Sequence, residues 1–281
     1  MNDLNLVPQQ AKLLSSVIKD GILTLTMTRP EKLNAWTLTM IAALETSFGK
    51  ASEMDEVKAI ILTATGKYYS AGADLSGSMK LMMPKKLHQG ITDANQALFD
   101  MFLDCTKPIL VAVNGIAFGA TVTSATLCNS IIASENAAFS TPFAALGVTP
   151  EGCSSVLFAR ILGEENAQRM LGKEGWRPNA QEALSVGLIQ QVVSSENLMR
   201  EANRTASEWV KSDEPRKFRG GSSREELKAI NRQESLDLAD AFLASKFLKG
   251  QAQFCWKKNK RGLSIMFYGL WFLRPLWKLF L

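Results

Sequence analysis

One carboxylate and two corners of small residues are the parts of this chain best suited to chemistry. Glu151 stands in Thr149-Pro150-Glu151-Gly152-Cys153-Ser154-Ser155, on a loop directly ahead of an apolar helix that carries Val156, Leu157 and Ile161. Ser70-Ala71-Gly72-Ala73-Asp74-Leu75 and Asn114-Gly115-Ile116-Ala117-Phe118-Gly119-Ala120 are corners beside β-rich runs. Residues without bulk let a ligand reach the main chain. Gly119-Ala120, at the start of a helix, also offers first-turn N–H groups and the positive end of the helix dipole. Two such corners can aim amides at one oxygen while a carboxylate moves a proton beside it, which is what forming and quenching an enolate requires. Each feature alone has a plainer reading, since Gly and Ala pack tightly at turns and a glutamate at a helix start favours the dipole. The three together, in this order, carry the enolate reading.

Rival chemistries find fewer residues. The one histidine, His88, lies in Lys85-Lys86-Leu87-His88-Gln89-Gly90, a polar stretch opening a helix, and reads as a solvated surface residue. A nucleophile–histidine hydrolase or a histidine-based zinc site is therefore not expected, and no metal site is assigned. Cys105, Cys128, Cys153 and Cys255 have no paired metal spacing and read as free thiols in a reducing compartment. Cys153 has no basic neighbour in sequence to make a thiolate, so it reads as a small packing residue. The net charge of +5 is uneven: from 211 onward there are 15 Lys/Arg against 7 Asp/Glu, and before that 17 against 20. Without base-stacking aromatics or a reader motif this basic excess does not point to nucleic acid.

Alternating strands and helices must position these residues. Val17-Ile18, Asp20-Gly21 and Ile22 to Met27 read as a hairpin, because Asp-Gly suits the positive φ of its turn. Leu38, Ile41, Leu44 and Phe48 have helical spacing, and Val57 to Thr65 is an unbroken β-rich run, as in a strand buried on both faces. A helix from about 87 to 104, a strand at 108–113, a helix at 119–128, a strand at 130–134 and a short extended piece at 139–141 follow. The sheet should be largely parallel. Helices are then expected at 154–162, 164–171, 179–187 and 195–211, with a strand-like piece at 188–193. Residues 213–223 read as a loop, with Ser223 capping a helix whose first turn holds Glu225 and Glu226.

The length of 281 residues, 46% apolar, suits one large domain or two small ones. The opening MNDLNLVPQQAKLL has neither the apolar run of a secretory signal nor the Arg-rich character of a transit peptide. No segment approaches the roughly 20 apolar residues of a bilayer span, so a soluble intracellular protein is expected. Leu263 to Leu273 is apolar and followed by Arg274-Pro275. It is read as a helix docked on the protein or on a neighbouring subunit, with a weak membrane-surface contact as the alternative.

Arg29-Pro30-Glu31-Lys32-Leu33-Asn34-Ala35, the Ser-Ala-Gly-Ala-Asp-Leu corner, Lys107-Pro108 before the strand that leads to Asn114-Gly115, and Leu146-Gly147 before Glu151 together resemble the crotonase superfamily, the enoyl-CoA hydratase/isomerase family. The resemblance runs from about residue 17 to about 260. It implies an α/β fold in which ββα units coil into a spiral, followed by helices that mediate trimerisation. The domains then read as a crotonase core over 1–200, a helical region over 201–260 and an apolar, basic tail over 261–281. A homotrimer or dimer of trimers and a peroxisomal location follow by the same analogy, with mitochondrion or cytoplasm as the alternatives, because Lys278-Leu279-Phe280-Leu281 is not a Ser-Lys-Leu address.

The resemblance further implies that the N–H groups of Ala73 and Ala120 form an oxyanion hole for an acyl-CoA thioester. Coenzyme A, part of the substrate and not a separate cofactor, would lie over the 29–35 segment and the 71–75 corner. Arg29, Lys32, Ala35, Ala71, Gly72, Asp74 and Leu75 are then substrate contacts, joined by Gly119, Pro142 and Phe143. Met79, Met82 and Met83 read either as an adaptable wall of the acyl pocket or as core filling. Hydratases of this family place glutamates where this chain has Thr123 and Phe143. Glu151 falls where the peroxisomal type of delta-3, delta-2-enoyl-CoA isomerase carries its single carboxylate, and an apolar setting that includes Phe143 and Leu146 should raise its pKa. Isomerisation of 3-enoyl-CoA to trans-2-enoyl-CoA is the activity expected. The alternatives are a non-catalytic acyl-CoA-binding module and a hydratase or thioesterase with a displaced base.

Overall fold

The computed structural model describes residues 3–74 and 83–278. Among them are strands β1 (Leu14–Lys19), β2 (Ile22–Met27), β3 (Ala59–Ala64), β4 (Tyr68–Ser70), β5 (Ile109–Val113), β6 (Ile116–Phe118), β7 (Ser130–Ser134), β8 (Phe139–Ser140) and β9 (Gln191–Val193). The Asp20-Gly21 turn has φ of 51° and 79° and folds β1 onto β2 with Lys19 opposite Ile22, as its sequence predicts. The main sheet runs β1-β2-β3-β5-β7-β9, antiparallel at the hairpin and parallel from β2 onward. With the helices that flank it, this is the mixed α/β architecture expected from the sequence.

Every residue of β3 and β5 is buried, because both faces of the sheet are covered. Ile60, Leu62, Ile109 and Val111 join a core with Met40, Leu44 and Phe48 of the Leu38–Glu53 helix and Phe99 and Phe102 of the Pro84–Asp104 helix. Ala59, Ile61, Leu110 and Ala112 face the other way, onto Leu198, Ala202 and Ala206 of the Leu198–Ser212 helix. Side chains alternate across a strand, so one apolar run serves both layers. The Leu198–Ser212 helix crosses residue 200 and belongs by packing to the sheet.

A second sheet, β4-β6-β8, is parallel and only three strands wide. Of its first two strands, β4 ends at Ser70, where the first small-residue corner begins, and β6 lies inside the second corner. They are too short to show a period, and pairing creates them.

Ser223 caps the Arg224–Phe242 helix by accepting the Glu226 N–H at 3.1 Å, as expected. That helix packs along Pro84–Asp104. Between them, Asn95 Nδ2 donates to Ser235 Oγ at 3.0 Å, and Asn231 Nδ2 donates to Gln96 O and Asp100 Oδ1, both at 2.9 Å. His88 differs from its expectation as a solvated residue: it is half-buried in the same contact, with Nε2 3.1 Å from Asp240 Oδ1. The last helices, Ser245–Lys257, Arg261–Phe272 and Arg274–Trp277, fold back on one another around Leu248, Ala252, Cys255, Phe267 and Leu270. No described helix is long and apolar enough to cross a membrane.

Candidate active site

Asn34 organises the first corner. Buried at a φ of 50°, it accepts the Arg29 N–H through Oδ1 at 2.9 Å and donates through Nδ2 to Thr65 O at 2.8 Å and Tyr68 O at 2.9 Å. Ser70 Oγ donates to Asn34 O at 2.8 Å and accepts the Gly72 N–H at 3.1 Å. A parallel bridge then joins Trp36 to Ala73: Trp36 N–H donates to Gly72 O, and Asp74 N–H donates to Trp36 O, both at 2.9 Å. The bridge uses the groups on either side of the Ala73 amide, and that amide has no acceptor among the described residues.

The second corner is anchored by Gly119, whose N–H donates to Ser140 O at 2.8 Å. With φ 55° and ψ −126°, Gly119 turns the chain from β6 into the Ala120–Thr126 helix. The Ala120 N–H, first in that helix, likewise has no acceptor among the described residues. Pairing of β4 with β6 brings the corners together. Gly72, at a φ of 86°, lies so close that a Cβ there would stand 3.0 Å from Phe118 O.

The opposite wall is residues 148–155. Gly152 and Cys153, at φ of 67° and 63°, make a left-handed turn just before the Ser154–Leu162 helix, and Ser154 Oγ donates to Glu151 O at 2.7 Å. A Cβ on Gly152 would lie 2.5 Å from Phe99 and 2.7 Å from Thr123 Oγ1, so only glycine fits. Glu234, buried on the Arg224–Phe242 helix, accepts the N–H groups of Cys153 at 2.6 Å and Ser155 at 2.8 Å. It thereby serves the N-terminal donors and dipole of the Ser154–Leu162 helix. Glu151 is not that helix's first-turn carboxylate, because Glu234 fills the role from across the fold.

Burial pushes the Glu151 carboxyl up to about 8, and the neighbouring Glu234 carboxylate adds to the shift. The residue itself is half-buried, because it borders open space while protein encloses the rest of it. Glu234 is also raised by burial, an effect opposed by its amide donors. Burial, with Glu234 second, drives the Cys153 thiol strongly upward, and its Sγ donates to Leu227 O at 3.2 Å. It packs and does not act as a thiolate. All four cysteines are free and buried.

Two cavities meet at this wall. One, of about 190 Å³, is bordered by Ala71, Gly72, Ala73, Gly119, Ala120, Pro142, Phe143, Leu146 and Glu151. The other, of about 230 Å³, is bordered by Trp36, Leu38, Ile41, Asp74, Leu87, Ile91 and Leu98, and again by Ala73 and Glu151. Leu238 and Phe242 also border both. Arg29, Lys32 and Ala35 border neither: Arg29 Nη1 lies 3.5 Å from Ala35 O, and Lys32 is exposed. Leu75, Met79 and Met82 lie outside the described residues, and Met83 is exposed at the start of the Pro84–Asp104 helix. Among the described residues no group of three or more His, Cys, Asp or Glu could hold a metal ion.

Thr123 is fully buried beneath Gly152, with its hydroxyl 3.3 Å from Ala120 O. The loop that presents Glu151 therefore fills the space a longer acid at 123 would need. Sequence reasoning missed Glu234, Leu238 and Phe242. One signal was available: Leu227, Asn231, Glu234 and Leu238 recur at spacings of four, three and four, which puts a carboxylate on an inward stripe.

This combination of a β-paired double corner and a facing acid sits within a chain that belongs to the enoyl-CoA hydratase/isomerase family, whose model matches residues 17–248. An uncharacterised Caenorhabditis elegans protein is 32% identical over 251 residues, covering 82% of this chain and 94% of its own length. Rat enoyl-CoA delta isomerase 2 is 30% identical over 260 residues, covering 90% of this chain. The chain spans 66% of that isomerase's length. The crystal structure of an enoyl-CoA hydratase/isomerase from Pseudoalteromonas atlantica matches 88% of this chain and 98% of its own, at 30% identity with a TM-score of 0.75.

Proposed function

We propose that the protein isomerises 3-enoyl-CoA, cis or trans, to trans-2-enoyl-CoA, with Glu151 as the only proton shuttle. The observation that carries this reading is that Glu151 borders both cavities beside Ala73, whose amide and that of Ala120 lack acceptors among the described residues. Glu151 takes a proton from C2, and the electrons move to give a dienolate whose oxygen accepts the Ala73 and Ala120 N–H groups. The same carboxyl then returns the proton at C4, leaving the double bond between C2 and C3. Proton and electrons balance within the substrate, so no further cofactor is required. Each amide donor would contribute about 3 kcal/mol at the transition state.

Apolar walls support this choice over hydration. Adding water needs a positioned water and usually a second acid–base group, whereas the positions where hydratases carry glutamate hold a buried Thr123 and Phe143. A carboxyl raised to about 8 is also matched to abstracting a weakly acidic carbon proton near neutrality. By the resemblance we assign a homotrimer or dimer of trimers located in peroxisomes.

The test is an assay of 3-hexenoyl-CoA and 3-octenoyl-CoA with wild type and Glu151→Gln. Wild type is expected to form the trans-2 product without incorporating solvent oxygen. The variant is expected to bind the CoA ester and to turn it over about 10²- to 10⁴-fold more slowly. Product containing solvent oxygen would favour a hydratase, and binding without turnover by wild type would favour a non-catalytic module. Activity of Glu151→Gln within a few-fold of wild type would sink the assignment.

A further inference from the structure

The outer face of the Arg261–Phe272 helix is apolar and uncovered. Ile265, Tyr268, Gly269 and Phe272 fall at i, i+3, i+4 and i+7, one stripe of a helix, and Leu276 extends it. Ile265 is 65% exposed, Phe272 76% and Leu276 66%. The opposite stripe, Ser264, Phe267 and Leu270, is buried against the Ser245–Lys257 helix, where Ser264 Oγ donates to Ala252 O at 2.7 Å. Trp271 Nε1 donates to Ser245 Oγ at 2.8 Å, and Arg274 Nε donates to Leu243 O at 2.9 Å, so the hairpin is tied down with its apolar stripe outward.

Charge identifies what would cover that stripe. Residues 245–281 contain six Lys and two Arg and no Asp or Glu. Cations border the apolar surface directly: Lys249 Nζ lies 5.3 Å from the Trp271 ring, and the Arg261 guanidinium lies 4.4 Å from the half-exposed Trp256 ring. Lys257, Lys258, Lys260 and Lys278 are exposed at its ends. Two copies of this face laid against each other about a two-fold axis would oppose like charges, and a head-to-tail contact with another face of a neighbouring copy is separated by the sedimentation-velocity arm of the experiment. An anionic lipid surface instead accepts apolar and aromatic side chains at headgroup depth and pairs with the surrounding cations.

We infer that this helical hairpin docks the protein reversibly on the surface of an anionic phospholipid bilayer, lying on the membrane and not spanning it. The stripe lies outside both cavities, so docking and the Glu151 site can be disturbed separately.

The experiment is co-sedimentation of the full chain with vesicles of phosphatidylcholine, either alone or with about 30% phosphatidylserine. Wild type is expected to pellet with the anionic vesicles and to be released as salt shortens the range of its charges. Ile265→Ser/Phe272→Ser should weaken binding by on the order of tenfold or more. Lys257→Glu/Lys258→Glu should abolish the preference for phosphatidylserine. Melting temperatures close to wild type, expected for exposed positions, show that both variants fold. The inference is overturned if wild type stays in the supernatant with both vesicles or binds them equally. It is also overturned if vesicles stay unbound while Ile265→Ser/Phe272→Ser dissociates an oligomer in sedimentation velocity, which would give the face to a second copy.

Discussion

The corner wall, residues 70–74 and 118–120, presents main-chain amides, whereas the loop wall, residues 148–155, presents one side chain. Amides on the first wall are aimed by strand pairing and by glycines at positive φ, so their geometry is inherited from the sheet. The carboxylate on the second is aimed by a two-residue left-handed turn that a distant helix holds through Glu234. Under the proposed isomerisation, the half that would stabilise charge is built separately from the half that would move the proton.

The contrast can be broken most severely at Glu151. Glu151→Gln should lower turnover by about 10²- to 10⁴-fold, roughly 3–5 kcal/mol in the barrier, while CoA-ester affinity measured by calorimetry stays near wild type. Loss of binding in step with turnover would show that the walls are not separable.

Thr123→Glu asks whether a hydratase acid can be added to this frame. The position is fully buried against Gly152, so an extra carboxyl should cost several kcal/mol of stability, seen as a lowered melting temperature, and no water addition should appear. A stable variant that hydrates trans-2-enoyl-CoA would contradict this account of the loop.

Gly152→Ala should cost about 1–3 kcal/mol in thermal unfolding, because φ is 67° and Phe99 and Thr123 crowd the new methyl. Turnover should fall more than affinity, since the turn aims Glu151.

The smallest effect is a shift in pH profile. Only ionised Glu151 can accept a proton, so kcat/KM should rise with pH through a midpoint near 8 and then level. Glu234→Gln removes the like charge and should move that midpoint down, with burial still holding it above the ordinary carboxylate range. A merely structural role for Glu234 would lower activity without moving the midpoint. For stability the sign is opposite: a carboxyl raised in the folded state contributes fully below the ordinary value of 4.5 and loses that contribution as pH rises through about 8. Glu151→Gln should flatten this part of the stability profile.

Much of the fold was legible because its signals are local. Asp20-Gly21 determined a turn, the unbroken apolar runs of β3 and β5 announced a sheet covered twice, and Ser223 marked a helix start. The strands β4 and β6 were not legible, since three residues carry no period and their existence depends on pairing with each other. Glu234 was hidden for a similar reason: the amides it caps belong to a segment some 80 residues earlier.

Residue types and their order alone determined two small-residue corners and one acid ahead of a helix, and their resemblance to known motifs pointed to the enoyl-CoA hydratase/isomerase family. Composition and spacing are properties of the chain itself, so they can be read without a fold. Which amides are left without acceptors, which glutamate serves a helix dipole and which is buried beside a cavity were decided only by the tertiary structure. Hydrogen-bond partners and desolvation depend on neighbours brought from far along the chain.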